Sequence, residues 1–309
     1  MVGIMIWALV VPFALWALLR LTGADPHWLW TPLVAYTPYV LVVALVPLVV
    51  AAFLRRRAAT AVAAASVLAL GVAVLPRAFP GGGPAAGGEE LRVLAVNLAF
   101  GQADAGEVVA LVRRMRPHVL TLQELTPGAL GRLDRAGLRT LLPHTVDRSA
   151  PRAGGSGLYA AGPLRELPVI EFGFRQARAV FTTPGGREVE VVSVHPCAPN
   201  PSAPVPCWAQ GLDALPRAGG MPRVLAGDFN ATLDHGRLRA LLDSGYRDAA
   251  DATGKGFEPT WPTRGDWEFL PRVAIDHVLA SPELAVTGFS AHDVGGSDHR
   301  PVFASLRFR

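Results

Sequence analysis

Apolar residues follow two regimes along this chain. Over the first 80 residues they form three long runs, at 4–19, 33–54 and 58–75. A helix that crosses a bilayer needs about 20 mostly apolar residues. Residues 1–80 therefore read as a transmembrane segment of about three helices, with the middle run the best fit and the Ala-rich third the weakest. From residue 89 onward, short apolar runs alternate with amphipathic stretches, an α/β pattern. Residues 91–96 (LRVLAV) predict a buried strand ending at Asn97. Residues 105–115 predict a helix with Val108, Val109, Leu111 and Val112 on one face, stopped by Arg116-Pro117. Residues 118–122 predict a second strand, with Gln123 and Glu124 at its carboxyl end. This β-α-β spacing brings Asn97 and Glu124 to neighbouring strand ends.

Further along, residues 130–142 read as a helix and 158–161 as a strand. Residues 177–183 and 188–194 read as a hairpin across Pro184-Gly185-Gly186, whose second strand runs into His195. Helices are predicted at 208–215 and 238–242. Strands are predicted at 273–279, with Asp276 inside, and at 302–306. The stretch at 223–232, RVLAGDFNAT, reads as a short buried strand, a tight turn at Gly227, then Asp228 and Asn230. If the strand period continues that far, these two side chains project to the same side. A turn closed by an aspartate side chain is the alternative.

Residues 80–88 (PGGGPAAGG) read as a flexible linker, which divides the chain into 1–80, 81–88 and 89–309. The apolar segment holds only Arg20, Asp25, Arg55, Arg56, Arg57 and Arg77 as charged residues. The remainder carries 24 of the 29 basic and 24 of the 25 acidic residues, so the soluble part is near neutral. That balance disfavours tight binding of a polyanion, which requires phosphate neutralisation. The basic cluster Arg55–Arg57 is expected on the cytoplasmic side. The N-terminus is then cytoplasmic too, Trp28 and Trp30 lie in the outer interfacial belt, and everything after the third run is extracytoplasmic; Arg20 opposes this weakly. The two cysteines, Cys197 and Cys207, close a ten-residue span and read as a disulfide worth about 2–3 kcal/mol, with two free thiols as the alternative.

Polar residues recur at strand ends: Asn97, Glu124, His195, Asp228 with Asn230, Asp276, and Asp298 with His299. Carboxylates and carboxamides suit Mg²⁺, with Mn²⁺ as a substitute, and the pattern lacks the paired Cys or H-x-x-x-H spacing of a zinc site. Histidines with carboxylate partners suit acid–base work on a phosphodiester. Trp261, in a rim-type loop, reads either as core or as a substrate contact.

The motifs VNLAFG, LTLQE, VHP, AGDFNA, IDHVLAS and GSDHRPV, in that order, resemble the endonuclease/exonuclease/phosphatase superfamily with the DNase I-like fold. The resemblance covers residue 91 to the C-terminus. It implies a four-layer sandwich of two face-to-face mixed sheets flanked by helices, a divalent metal, and hydrolysis of a phosphate ester. Carried over by position, Glu124 with Asn97 would hold the metal, with Asp298 serving it or the site geometry. Asp228 would orient or deprotonate the attacking water, and Asn230 would hold a phosphoryl oxygen. His299 would contact the phosphate or transfer a proton, paired with Asp276. His195 would be the second histidine, and Arg178 a weaker substrate-side candidate. The stretch LYAAGPL at 158–164 lacks the Ser-Arg that many relatives carry there, so a substrate contact is missing or replaced. The expected protein is a membrane-anchored phosphodiesterase, its partners the bilayer through residues 1–80 and a phosphodiester substrate. A nuclease or general phosphodiesterase is favoured over a phospholipid or sphingomyelin phosphodiesterase. A catalytically silent binding module at the membrane is the alternative of another class. No obligate protein partner is evident from the sequence.

Overall fold

The computed structural model describes residues 2–25, 29–81, 87–199 and 205–309. Trp28 and linker residues 82–86 lie outside the described residues. Among the described residues, fourteen strands follow residue 89. In order they are β1 (Glu90–Asn97), β2 (Val119–Gln123), β3 (His144–Arg148), β4 (Ser156–Ala160), β5 (Leu164–Glu166), β6 (Ile170–Phe172), β7 (Phe174–Gln176), β8 (Arg178–Thr182), β9 (Glu188–Val194), β10 (Arg223–Asp228), β11 (Arg247–Asp248), β12 (Asp276–Ala280), β13 (Leu284–Ala291) and β14 (Val302–Phe308). One six-stranded sheet runs β13-β14-β1-β2-β4-β3 and the other β11-β12-β10-β9-β8-β5, while β6 and β7 form a separate hairpin.

The layering follows from strand alternation. In β1, Val93 and Ala95 point between the sheets, where they meet Val191 of β9 and Val224 and Ala226 of β10. Leu94 and Val96 point outward beneath the helices Ala105–Met115 and Pro127–Arg135. On the second sheet, Val192, Val194 and Leu225 face outward against the helices Val205–Asp213 and Gly236–Leu242. Two sheets with helices on both outer faces give the four layers that the resemblance implies. The β-α-β unit holds as predicted: β1 and β2 are parallel, with Asn97 opposite Gln123. The hairpin of β8 and β9 holds too, with Thr182 opposite Glu188.

Three local expectations differ. The helix expected over 130–142 is two pieces, Pro127–Arg135 and Leu138–Leu141, parted at Gly137, whose φ of 97° ends the first piece. Asp276 opens β12 instead of lying inside it, and Val273 makes only an isolated bridge to Trp261. The middle apolar run is the most broken of the three, not the best span. It forms Trp30–Val34, Thr37–Val43 and Leu45–Phe53, the first two pieces ending four residues before Pro38 and Pro47, which have no N–H to bond back to them. The helices Val2–Thr22 and Arg57–Ala78 are long and apolar enough to cross a membrane, by length and composition.

The domain after the linker is docked on the ends of these helices. Arg20, in the last turn of the first helix, donates to Asp234 Oδ1 at 2.6 Å, and Arg77 donates to both Asp234 oxygens at 2.7 and 2.8 Å. All three are buried. Asp25 accepts the N–H groups of Gly236 and Arg237 at the start of the helix Gly236–Leu242. Tyr39 Oη donates to the Arg272 carbonyl at 2.7 Å, and Ala35 and Tyr36 pack against Val273, Ile275 and Trp261. Arg55, Arg56 and Arg57 are exposed at the other end of the last helix. With Arg57–Val74 spanning 18 residues, that end is ~27 Å away.

Candidate active site

The sheets are stitched together by buried polar groups where β1, β2, β9 and β10 end. Gln123 Nε2 donates to Ser193 Oγ at 2.9 Å, Ser193 Oγ donates to the Leu122 carbonyl, and Thr121 Oγ1 donates to the Ala226 carbonyl. A Cβ at Gly227 would strike the Val194 carbonyl and the Gln123 carboxamide, and its φ is 146°. Only glycine lets the two sheets close this tightly and still turn the chain into Asp228.

The side chains that follow converge. Asn97 Nδ2 lies 3.1 Å from Asp228 Oδ2 and 3.4 Å from Glu124 Oε1. The Phe100 N–H donates to the other Glu124 oxygen. His195 Nε2 lies 3.7 Å from Asp228 Oδ2 and 3.8 Å from Glu124 Oε1. His299 Nδ1 is bonded to Asp276 Oδ2 at 2.9 Å, which turns its Nε2 toward Asp228 Oδ2 at 3.7 Å. Asp298 accepts from Trp261 Nε1 at 3.1 Å, and the Trp261 ring lies 6.3 Å from that of His299.

Burial and charge set the protonation states. Burial pushes the Glu124 carboxyl up, against the Phe100 N–H and the His299 charge. Burial, with the Asp276 charge, raises Asp228 to about 7 although His299 opposes this. Burial alone would lower His299, but the Asp276 and Asp228 carboxylates outweigh it and raise the imidazole to about 10, so it is an imidazolium at neutral pH. His195 has no such partner at bonding distance. Burial and the His299 charge push it down to about 3, so it is neutral.

A hard divalent cation suits this donor set. Glu124 and Asp228 are desolvated carboxylates whose negative charge is disfavoured, and a cation would restore it. Asp228, Asp276 and His299 also present one ligand atom each within 4.8 Å of one another, but a metal there would have to displace a His299 proton and compete with the bond between His299 and Asp276. The acidic corner at Glu124 is the better seat. Asn97 Oδ1 accepts the Ala99 N–H, which fixes the amide so that its Nδ2 steers the two carboxylates and leaves one oxygen lone pair free.

Two expectations change. Asn230 does not share a face with Asp228 by strand alternation. The strand ends at Asp228, Asn230 has φ 47°, and its N–H donates to Asp228 Oδ1 at 2.7 Å. Its carboxamide is steered by the Pro196 carbonyl at 3.1 Å, and its own carbonyl accepts from Trp208 Nε1. The alternative reading, a turn closed by the aspartate side chain, is therefore the one met. Arg178 is not brought into the cluster. Its guanidinium pairs with Glu190, which also holds Arg223 at 2.7 Å. Arg223 begins β10 and Asp228 ends it, so this pair lies ~16 Å back along the strand.

Several supporting residues had no reading in the sequence. Ser297 Oγ donates to the Asn97 carbonyl and accepts the His299 N–H. Thr260 Oγ1 accepts the Ile275 and Asp276 N–H groups. Ser297 stands inside the GSDHRPV motif, which was the available signal; Thr260 had none. Cys197 and Cys207 are disulfide-bonded, with Cα atoms 5.8 Å apart.

The sequence profile of the Endonuclease/Exonuclease/phosphatase family matches residues 94–299. No curated protein matches the chain significantly. Among solved structures, an endonuclease/exonuclease/phosphatase from Beutenbergia cavernae is similar at TM-score 0.53 and 20% identity, over 71% of this chain and 72% of that one. A humanized D. rerio TDP2 is similar at TM-score 0.56 and 16% identity, over 71% of this chain and 99% of that one. D. rerio TDP2 complexed with single strand DNA product is similar at 0.54 and 17%, over 71% and 99%. At these identities the structural likeness speaks for the fold, while the profile spans the whole polar cluster from β1 to His299, and on that span the chain belongs to the endonuclease/exonuclease/phosphatase family and is a hydrolase of phosphate ester bonds.

Proposed function

We propose that the protein is a membrane-anchored phosphodiesterase that uses Mg²⁺, or Mn²⁺ in its place, and acts on the extracytoplasmic side. The observation that carries the reading is the convergence of two buried groups, Asp228 at the end of β10 and the His299 imidazole, which Asp276 holds by Nδ1 with its Nε2 3.7 Å from Asp228 Oδ2. Asp228 accepts a proton from the attacking water. The His299 Nε2–H faces a phosphoryl oxygen, and the Asn230 amide offers a second donor to charge that grows in the transition state. Asp276 holds the imidazole in orientation and keeps it charged. Neutral His195 contributes a hydrogen bond, not a cationic acid. Glu124, steered by Asn97, would hold the metal, which neutralises phosphate charge when bound.

Anchoring is supported by the two long apolar helices, and orientation by the exposed Arg55–Arg57 cluster at the end remote from the domain. Arg20, whose charge opposes this orientation, is paired with Asp234, a carboxylate it shares with Arg77. A nucleic-acid substrate has support from the likeness to a TDP2 complexed with single strand DNA product, and the near-neutral domain argues for modest affinity.

The test uses the full chain beside its Asp228→Ala variant. Hydrolysis of bis-p-nitrophenyl phosphate, single-stranded and plasmid DNA, and phospholipid vesicles is followed with Mg²⁺ and with EDTA. Mg²⁺-dependent turnover that the variant loses supports the reading. Turnover equal in EDTA, or unchanged in the variant, overturns it. A reporter fused after Arg309 that is active only in the cytoplasm would reverse the orientation.

A further inference from the structure

The segment between Trp261 and Val273 is a tongue closed at its base. The two residues bridge each other, with the Val273 N–H donating to the Trp261 carbonyl at 2.6 Å and the Trp261 N–H donating back at 3.0 Å. That base touches two regions. Trp261 holds Asp298 and lies beside His299, while Val273 and Ile275 pack on Ala35 and Tyr36 at the start of the middle apolar run. Tyr39, one turn into that run, grips the Arg272 carbonyl at the tongue's C-terminal root.

The tongue's tip exposes two aromatic rings among the charged side chains of Arg264, Asp266 and Glu268. Trp267 is 53% exposed and Phe269 75%, with their rings 6.3 Å apart. Two internal bonds shape the tip, Glu268 N–H to the Gly265 carbonyl and Leu270 N–H to the Trp267 carbonyl. Phe257 and Tyr39, also exposed, continue the aromatic surface along a cavity of about 280 Å³ that Val42 and Arg272 help to line. Val42 is 65% exposed on the helix Thr37–Val43. The tongue's root and the helix Thr37–Val43 thus share one exposed surface, joined by the Tyr39–Arg272 bond and the cavity both line. Arg264 and Arg272 flank the tip, exposed, with Asp266 and Glu268 exposed between them, and none of the four makes an ion pair among the described residues.

Resting on the membrane anchoring proposed above, we infer that the tongue at 264–270 seats Trp267 and Phe269 in the interfacial layer of the bilayer that holds the helices, beside the mouth of the active site. Aromatic rings with flanking arginines are suited to that layer, where the rings lie among acyl carbons and the guanidiniums meet lipid phosphates. The continuity through Tyr39 and Arg272 fixes the occupant: the surface faces the ends of the chain's own helices, so what covers it is the lipid around them. The active site then opens at the lipid–water boundary, and a phosphodiester borne on that surface reaches it without leaving.

The full chain with Glu268→Cys, labelled with an environment-sensitive nitrobenzoxadiazole and reconstituted in phosphatidylcholine/phosphatidylglycerol nanodiscs, tests this. Both aromatic residues remain, and the native cysteines are bonded to each other. Thr140→Cys, exposed on the helix Leu138–Leu141, is the reference for an aqueous label. The expected result is blue-shifted emission at residue 268, quenched at least twofold more by lipids spin-labelled near the headgroup than at Thr140→Cys, and reverting to the reference when Trp267→Ser and Phe269→Ser are added. Emission at residue 268 equal to the reference, in protein that resists carbonate extraction, overturns this inference alone. Extraction by carbonate overturns the anchoring and this inference with it.

Discussion

Arg20 and Asp234 lie 214 positions apart in the chain and 2.6 Å apart in space. Arg77 closes on the same carboxylate from the end of the last apolar helix. One acidic side chain of the hydrolase domain is thus shared by two arginines from the helical segment. Asp234 is followed by His235, whose Nε2 meets the Thr31 carbonyl at 2.8 Å, so the contact continues along the helix ends. The Gly/Pro stretch at 80–88 sits between two parts already fastened by buried charge, and the domain's orientation is set by this contact instead of by a loose tether.

Removing Asp234 should be costly. Burial pushes its carboxyl up, but the two guanidiniums outweigh that and hold it below the ordinary carboxylate range. Asp234→Ala leaves two buried arginines with the Leu233 carbonyl but no counter-charge, a loss of about 3–5 kcal/mol for a broken buried pair. Thermal unfolding of the detergent-solubilised chain should show a lower Tm, and protease should cut first near the linker. The sign with pH follows from a depressed native pKa: the contribution is full above the unfolded value of about 3.9 and is lost as pH falls through the native value. Asp234→Asn should therefore flatten the acid limb of stability.

The Asp276–His299 bond predicts a shift in pH dependence. His299 is raised to about 10 mainly by the Asp276 and Asp228 charges acting against burial. If the imidazolium is the working form, activity falls as pH rises through its pKa. Asp276→Asn removes the larger of those two charges and should move that alkaline limb to lower pH while reducing kcat at neutral pH. His299→Ala should lose roughly 10²–10³-fold in kcat, as for a lost transition-state donor. A pH–rate profile of kcat for both variants is the measurement. An unmoved alkaline limb in Asp276→Asn would remove His299 from that role.

Metal binding should be proton-linked. Burial raises both Glu124 and Asp228, the latter to about 7. A carboxylate must be ionised to meet a cation, so Mg²⁺ binding below pH 7 expels a proton and the apparent affinity weakens as pH falls. Calorimetry in two buffers of different ionisation enthalpy should count that proton at pH 6 and find less of it at pH 8. Glu124→Gln should abolish binding, while Arg178→Ala should leave it unchanged.

Much of this site could be read from local pattern, and the rest could not, for identifiable reasons. Asn97 and Glu124 were legible as neighbours because β-α-β units are short and right-handed, and β1 and β2 pair in that register. His195, Asp228 and His299 each follow or precede an apolar strand, so their strand-end positions were visible too. Asn230 was not legible by strand alternation: the strand ends at Asp228, and a backbone at φ 47° with a bond to the Pro196 carbonyl sets its side chain. Arg178 misled because an arginine at a strand start says nothing about which carboxylate it will meet, and Glu190 is nearer than any substrate. Asp234 was invisible, since its partners come from a segment whose apolar pattern suggested no contact with this domain.

Gly173 offers a test of how the disulfide supports the site. It turns the hairpin between β6 and β7 at φ 82°, a region costly for any residue with a Cβ, by roughly 1–2 kcal/mol. A Cβ there would also collide with the sulfurs of both Cys197 and Cys207. The next residue, Phe174, lies against the His195 imidazole with ring centroids 4.8 Å apart. The disulfide and the hairpin therefore brace His195 from behind, and an error at Gly173 should travel to the site. Gly173→Ala should lower Tm by several degrees and kcat by more than a serine pair at 197 and 207 does. The serine pair removes the loop constraint, about 2–3 kcal/mol of stability, yet leaves space behind the hairpin. Measuring Tm and kcat of both variants separates the two effects. Equal kcat in Gly173→Ala and the wild type would mean that Phe174 does not set the position of His195.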